Sequence, residues 1–102
     1  MEINLQTITS VIGRLREQFY VHDFEIVNNT LICRYTGEIF YPEDVIIDNI
    51  YRFEYNSKPV VLYALSTKSS TQGILFNIYS IFSETDEFMR KVERREEYEA
   101  SV

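Results

Sequence analysis

Two charged residues, Arg52 and Glu54, have the clearest spacing for binding chemistry. They lie two positions apart in the segment YPEDVIIDNIYRFEYN, residues 41–56. Side chains two apart on a β-strand share a face, so an arginine fork beside a carboxylate suits a polar ligand or partner group. The same pair suits the solvent-exposed face of an amphipathic sheet. We expect the solvent-exposed face, because Asp48 continues the charged side of an unbroken alternation.

Other residues with reactive side chains offer weaker chemistry. His22 beside Asp23 is a candidate general base, but no Ser, Cys or Lys adjoins it, and we expect a histidine in a surface turn. Cys33 is expected to be a small buried apolar residue. With one cysteine and one histidine, the chain has no intrachain disulfide and no Cys/His zinc site. The acids Glu43 and Asp44 suit a helix start. We predict no catalytic residue, no metal site and no cofactor.

Composition describes one acidic globular domain. The 102 residues are 45% hydrophobic and 25% charged, and the net charge is −6. An acidic balance opposes direct binding of nucleic acid, which requires clustered lysine and arginine. The first twenty residues lack the apolar core of a signal peptide, and no run is long enough to span a membrane. We therefore expect a cytoplasmic protein that binds neither membrane nor nucleic acid.

The elements that must position these residues are two helices and about five strands. Apolar residues at helical spacing predict an N-terminal helix over residues 4–20, with Leu5, Ile8, Val11, Ile12, Leu15 and Phe19 on its buried stripe. Runs of β-prone residues predict strands at 23–27, 30–35, 45–55, 60–67 and 74–82. Their short connections indicate an antiparallel sheet in an α+β fold, with the N-terminal helix packed on it.

The sequence also predicts a C-terminal helix, the end of the domain and the core face of the strand at 45–55. Ser83 is a candidate cap for a C-terminal helix, in which Phe88, Met89 and Val92 are the residues able to pack. We expect a single domain over residues 1–92 and a charged, exposed tail over 93–102. Period-two alternation predicts one core face on the long strand, formed by Val45, Ile47, Asn49, Tyr51, Phe53 and Tyr55.

The order of motifs resembles a family of short proteins found mainly in Bacteroidetes. The shared features run from about Thr7 to Ser83, and the most specific are Pro42-Glu43-Asp44 and Tyr51-Arg52-Phe53-Glu54. Members are often named phosphoribosylpyrophosphate synthetase, so the resemblance implies an enzyme of nucleotide or phosphosugar metabolism. The residues themselves do not support that activity, because the three glycines are isolated and no phosphate-binding loop is present.

Surplus aromatic residues indicate an interaction surface. The chain has eight tyrosines and seven phenylalanines, and two strands are apolar on nearly both faces. Surface of this kind commonly forms a homodimer or partner interface. We therefore predict a non-catalytic protein-binding or regulatory module that pairs with itself as a homodimer, with a protein partner, or with both. Two alternatives stay open: a phage or mobile-element inhibitor that blocks a nucleic-acid-binding partner with its acidic surface, and the enzyme named above. The candidate binding residues are Arg52, Glu54, Tyr51, Tyr63 and Tyr79.

Overall fold

A computed structural model describes residues 5–78 and 84–95 of the chain. It contains two α-helices, seven strands and one 3-10 turn. In chain order these are α1 (Leu5–Glu17), β1 (His22–Val27), β2 (Thr30–Cys33), β3 (Ile39–Phe40), the 3-10 turn (Pro42–Asp44), β4 (Val45–Tyr55), β5 (Lys58–Thr67), β6 (Gln72–Ile78), α2 (Glu84–Met89) and β7 (Glu93–Arg94). The α+β class predicted from the sequence is confirmed.

The strands form one mixed sheet in the order β3-β2-β1-β6-β5-β4-β7. The prediction of about five antiparallel strands is wrong on both points. β1 pairs parallel with β6, and β7 pairs parallel with β4. The two additional strands, β3 and β7, contain two residues each, which is too short for any period-two pattern. Parallel pairing joins segments that are distant in sequence, so local patterns do not reveal it.

Two hydrophobic clusters lie on opposite faces of the sheet. Successive residues of β5 point to opposite faces and contribute to the two clusters in turn. The α1-side cluster contains Val11, Leu15, Leu62, Ala64 and Ile74. The α2-side cluster is larger and draws on β1 through β6, so the sheet curls around it; it includes Phe24, Leu31, Cys33, Phe40, Val45, Ile47, Val61, Tyr63, Leu65, Leu75, Phe88, Met89 and Val92. The predicted packing of Phe88, Met89 and Val92 and the burial of Cys33 are confirmed.

A β-bulge at Asp48 breaks the alternation along β4. Ile47 pairs with Leu65 and Asn49 pairs with Ala64, so Asp48 is an extra residue without a partner on β5. An extra residue shifts the side-chain period by one position. Val45 and Ile47 therefore face the α2-side cluster, whereas Tyr51 and Phe53 pack against the α1-side cluster. The single core face predicted for β4 is wrong, and so is the placement of Asp48 on the face of Arg52 and Glu54.

Helix α1 ends earlier than its apolar spacing indicates. The amide of Phe19 donates to the carbonyl of Arg16 and the amide of Tyr20 donates to that of Leu15, each at 3.0 Å. These are the two bonds of a Schellman motif. Phe19 is its left-handed residue, with φ of 72°, and its side chain is 75% exposed. The predicted place of Phe19 on the buried stripe is therefore wrong, although Ile8, Val11 and Leu15 are buried as predicted.

The first residues of the expected C-terminal tail pair with β4. Of the residues assigned to the tail, Glu93 and Arg94 form β7 beside β4, and the Arg95 amide donates to the Ile47 carbonyl at 2.8 Å. Residues 96–102 and the candidate cap Ser83 lie outside the described residues. Ordered pairing thus continues through Arg95.

Candidate functional site

Within the described residues, the outer side of β4 is unpaired over most of its length. β7 pairs with β4 only at Ile46 and Ile47. From Asn49 to Tyr55, no strand in the described part of the chain pairs with that side. We call residues 49–55 of this strand the β4 edge. Such an edge presents unpaired backbone N–H and C=O groups and can accept another strand.

The hairpin that joins β4 to β5 determines which backbone groups point outward. Asn56 and Ser57 both have left-handed φ values, 54° and 63°, as in a two-residue type I′ turn. Tyr55 and Lys58 close that turn, and the closing pair of such a hairpin exchanges backbone hydrogen bonds. Alternation then directs the backbone groups of Asn49, Tyr51, Phe53 and Tyr55 toward β5.

The alternate residues, Ile50, Arg52 and Glu54, direct their backbone groups to the open side. A direct contact supports this assignment at Ile50, whose amide donates to the side-chain Oδ1 of Asn49 at 2.9 Å instead of to β5. The amides and carbonyls of Arg52 and Glu54 have no strand partner among the described residues. The outward hydrogen-bonding capacity of the β4 edge therefore resides mainly in these two residues.

The side chains at the β4 edge divide between the two sheet faces. Arg52 and Glu54 are exposed on the α2-side face, as expected for solvent-facing charges, and within the described residues neither forms an ion pair. Tyr51 and Phe53 are half-buried on the α1-side face, and Tyr55 is 39% exposed. Three of the candidate binding residues thus lie at the β4 edge, with Arg52 and Glu54 on one face of the sheet and Tyr51 on the other.

Tyr63, another candidate binding residue, is not part of this surface. Tyr63 is 7% exposed and belongs to the α2-side cluster. Burial, followed by the negative charge of Asp86, raises the pKa of its hydroxyl. Tyr63 is therefore a core residue. Tyr79 lies outside the described residues.

Asp48, at the bulge, is the centre of a polar cluster that sequence reasoning missed. Its side chain is 7% exposed. The Tyr20 hydroxyl donates to its Oδ2 at 2.7 Å, the Ser66 hydroxyl donates to the same oxygen, and Arg95 Nε donates to Oδ1 at 2.6 Å. These contacts connect the segment after α1, β5 and the segment after β7 to one carboxylate. The cluster holds the bulge in place and joins Arg95, the residue after β7, to it.

Two pKa values report the strength of this cluster. Burial, reinforced by the hydrogen bond to Asp48 and by its charge, raises the pKa of Tyr20 from 10.0 to about 12. The hydrogen bond to Asp48 also raises the pKa of Arg95. Tyr20 therefore stays a neutral donor, and Arg95 stays a cation, across the physiological range. A fixed donor and a fixed cation suit a structural role for Asp48 better than proton transfer.

Two surface cavities lie elsewhere on the molecule. The larger, of about 530 Å³, is lined by Val21, His22, Asp23, Arg34 and Tyr35. The smaller, of about 400 Å³, lies between β3 and the β5–β6 connection. Arg52 and Glu54 line neither cavity.

His22 occupies a different environment from the surface turn that we expected. It is half-buried as the first residue of β1, and its Nδ1 lies 3.4 Å from the buried sulfur of Cys33. Asp23 is engaged by Arg16 at 2.8 Å. His22 therefore has no carboxylate partner in a catalytic arrangement within the described residues.

Comparison with known proteins finds no family model, no curated protein and no solved structure that matches the chain. The resemblance drawn from the sequence therefore stays a prediction. Neither helix in the described ranges is long and apolar enough to cross a membrane. Within those same ranges, no three His, Cys, Asp or Glu side chains are grouped closely enough to hold a metal ion.

Proposed function

We propose that the protein is a non-catalytic binding module that associates with a partner chain by strand addition at the β4 edge. The observation that carries this proposal is the outer side of β4 from Asn49 to Tyr55, with which no strand of the described residues pairs. A partner strand placed there would bond to the outward backbone groups of Arg52 and Glu54. Backbone hydrogen bonds would supply affinity, and the side chains on both faces would supply specificity.

The two edges of the sheet differ in how they are protected. Natural sheets shield their edges with short strands, charged side chains (lysine above all), proline or bulges. At one edge β3 has only two residues and is followed closely by Pro42. The β4 edge contains neither proline nor lysine, and its bulge lies before it, at Asp48. At the β4 edge, the two charged residues are opposite in sign and leave the backbone groups available, which favours a surface that is used for pairing.

The side chains of the β4 edge favour strand pairing over the alternative functions. A mimic of nucleic acid would present a row of acidic groups, whereas this edge carries one arginine and one glutamate. An enzyme site would gather polar groups in a concave cavity, whereas Arg52 and Glu54 line neither of the cavities described above. A balanced pair of opposite charges on a strand is suited to cross-strand partners.

Amide hydrogen exchange, measured residue by residue in dilute protein, tests the proposal. We expect the amides of Arg52 and Glu54 to exchange rapidly and those of Tyr51 and Phe53 to be protected by β5. Addition of a synthetic peptide with the sequence of residues 49–55 should slow exchange at Arg52 and Glu54. A control peptide with proline at the positions of Arg52 and Glu54 lacks the two required donors and should have no effect. Protection of both outward amides in dilute protein alone would refute the proposal.

A further inference from the structure

We infer that the strand added at the β4 edge belongs to a second copy of this chain. The inference rests on the proposed function and identifies its partner. The two copies would pair antiparallel, β4 against β4, about a two-fold axis that passes beside Phe53. A closed two-fold pair of this kind uses the same surface on both copies. It would join the two sheets into one and would pair residues 51–55 of both copies.

Backbone geometry restricts the registers that such a pair can adopt. Residues with outward groups must face residues with outward groups. In the registers centred on residues 51 to 54, Arg52 therefore faces Ile50, Arg52, Glu54 or Asn56 of the second copy. A register centred on Arg52 places two arginines opposite each other, and one centred on Glu54 does the same with two glutamates. Like charges directly opposite are destabilising. A register centred on Tyr51 leaves Arg52 opposite Ile50.

The register centred on Phe53 is the one that places opposite charges across from each other. It places Arg52 opposite Glu54 of the second copy, and the two-fold axis repeats that pair, so each copy contributes one arginine and one glutamate. Both residues are exposed and have no ion-pair partner within the described residues. Their spacing of two along one strand is what makes the surface complementary to itself.

The opposite face of the paired strands would carry aromatic contacts. In the same register Tyr51 faces Tyr55 of the second copy, and the two Phe53 residues face each other. These residues direct their backbone groups toward β5, so they form the pairs without interstrand hydrogen bonds, in which side chains approach most closely. Aromatic cross-strand pairs stabilise antiparallel strands. Tyr55, 39% exposed, would gain a partner for its free surface.

Charge reversal, followed by sedimentation velocity, tests the inference. We expect the wild type to dimerise reversibly, and Arg52→Glu or Glu54→Arg alone to weaken the dimer at least about tenfold, since each places two like-charged pairs across the axis. An equimolar mixture of the two variants restores both opposite-charge pairs and should form a heterodimer. The double variant Arg52→Glu, Glu54→Arg should regain the homodimer. Lys58→Glu, outside the β4 edge, is the control and should leave the dimer constant unchanged.

The possible failures separate this inference from the proposed function. A wild type that stays monomeric while its Arg52 and Glu54 amides exchange rapidly would exclude a second copy as the partner. It would remain consistent with the proposed strand addition by another chain. A monomer in which those amides are protected would overturn both. A dimer that tolerates either single reversal would overturn the register and the self-complementarity on which the inference rests.

Discussion

Asp48→Ala is expected to destabilise the fold by about 2–4 kcal/mol. The carboxylate accepts hydrogen bonds from Tyr20, Ser66 and Arg95, and its side chain is 7% exposed. Hydrogen bonds to a charged group contribute about 1.5–3 kcal/mol each. Their sum is reduced because the carboxylate no longer has to be desolvated, and because Arg95, with a side chain 57% exposed, returns to water. Urea denaturation at neutral pH measures the loss directly.

Asp23→Ala is the matched control for this substitution. Asp23 also pairs with an arginine, Arg16, at 2.8 Å, but its side chain is 53% exposed. An exposed ion pair contributes about 1 kcal/mol or less. We therefore expect Asp48→Ala to cost at least twice as much as Asp23→Ala. Equal losses, both below about 1 kcal/mol, would show that the cluster at the bulge does not hold β4, and our assignment of Asp48 would be refuted.

Two further predictions concern the sheet and its alkaline limit. Gly73→Ala should destabilise the fold by about 3 kcal/mol, because a Cβ there would meet the backbone of His22 and approach the Phe24 ring to 2.8 Å. Gly13→Ala is the control: it has open space around it and should stabilise the fold by up to about 1 kcal/mol. Thermal melts that rank the two variants in the opposite order would contradict the close approach of β6 to β1. Because the pKa of Tyr20 is raised in the folded state, the unfolded chain releases the phenolic proton first. The contribution of Tyr20 to the free energy of unfolding is therefore complete below about pH 10 and is lost as the pH rises toward about 12. Tyr20→Phe should therefore cost about 1–2 kcal/mol at pH 8, and the stability difference between wild type and variant should shrink between pH 10 and 12; a difference independent of pH would contradict the cluster.

Much of the fold can be predicted from local patterns in the sequence. The stripe of Ile8, Val11 and Leu15 predicts α1, and the Asn28-Asn29 pair predicts the turn between β1 and β2, where both residues have left-handed φ. Strands β4 and β5 are long enough for their period to be visible. Strands β3 and β7 are not, and the parallel pairs that involve β6 and β7 depend on contacts between distant segments.

The candidate site was only partly accessible to the same reasoning. Arg52 and Glu54 were correctly expected to be exposed, but their position on an open edge depends on how far β7 extends. The bulge at Asp48 changes the face of Tyr51 and Phe53 without changing their spacing, so alternation alone assigns them to the wrong side. The only local signal was an aspartate followed by an asparagine within an apolar strand, which is unfavourable for regular pairing.

Disulfide trapping at Phe53 tests the central claim, the pairing of β4 edges, most directly. In the inferred register the two Phe53 Cα atoms lie about 4.5 Å apart, within the range that a disulfide spans. The Phe53→Cys variant should form a covalent dimer under mild oxidation, while the native Cys33 is buried and should leave the wild type monomeric on a non-reducing gel. Tyr51→Cys is the control, since its copies would lie more than about 13 Å apart along the strands. Efficient trapping by Phe53→Cys and not by Tyr51→Cys is the result we predict; trapping by Tyr51→Cys alone, or by neither variant, would contradict the pairing.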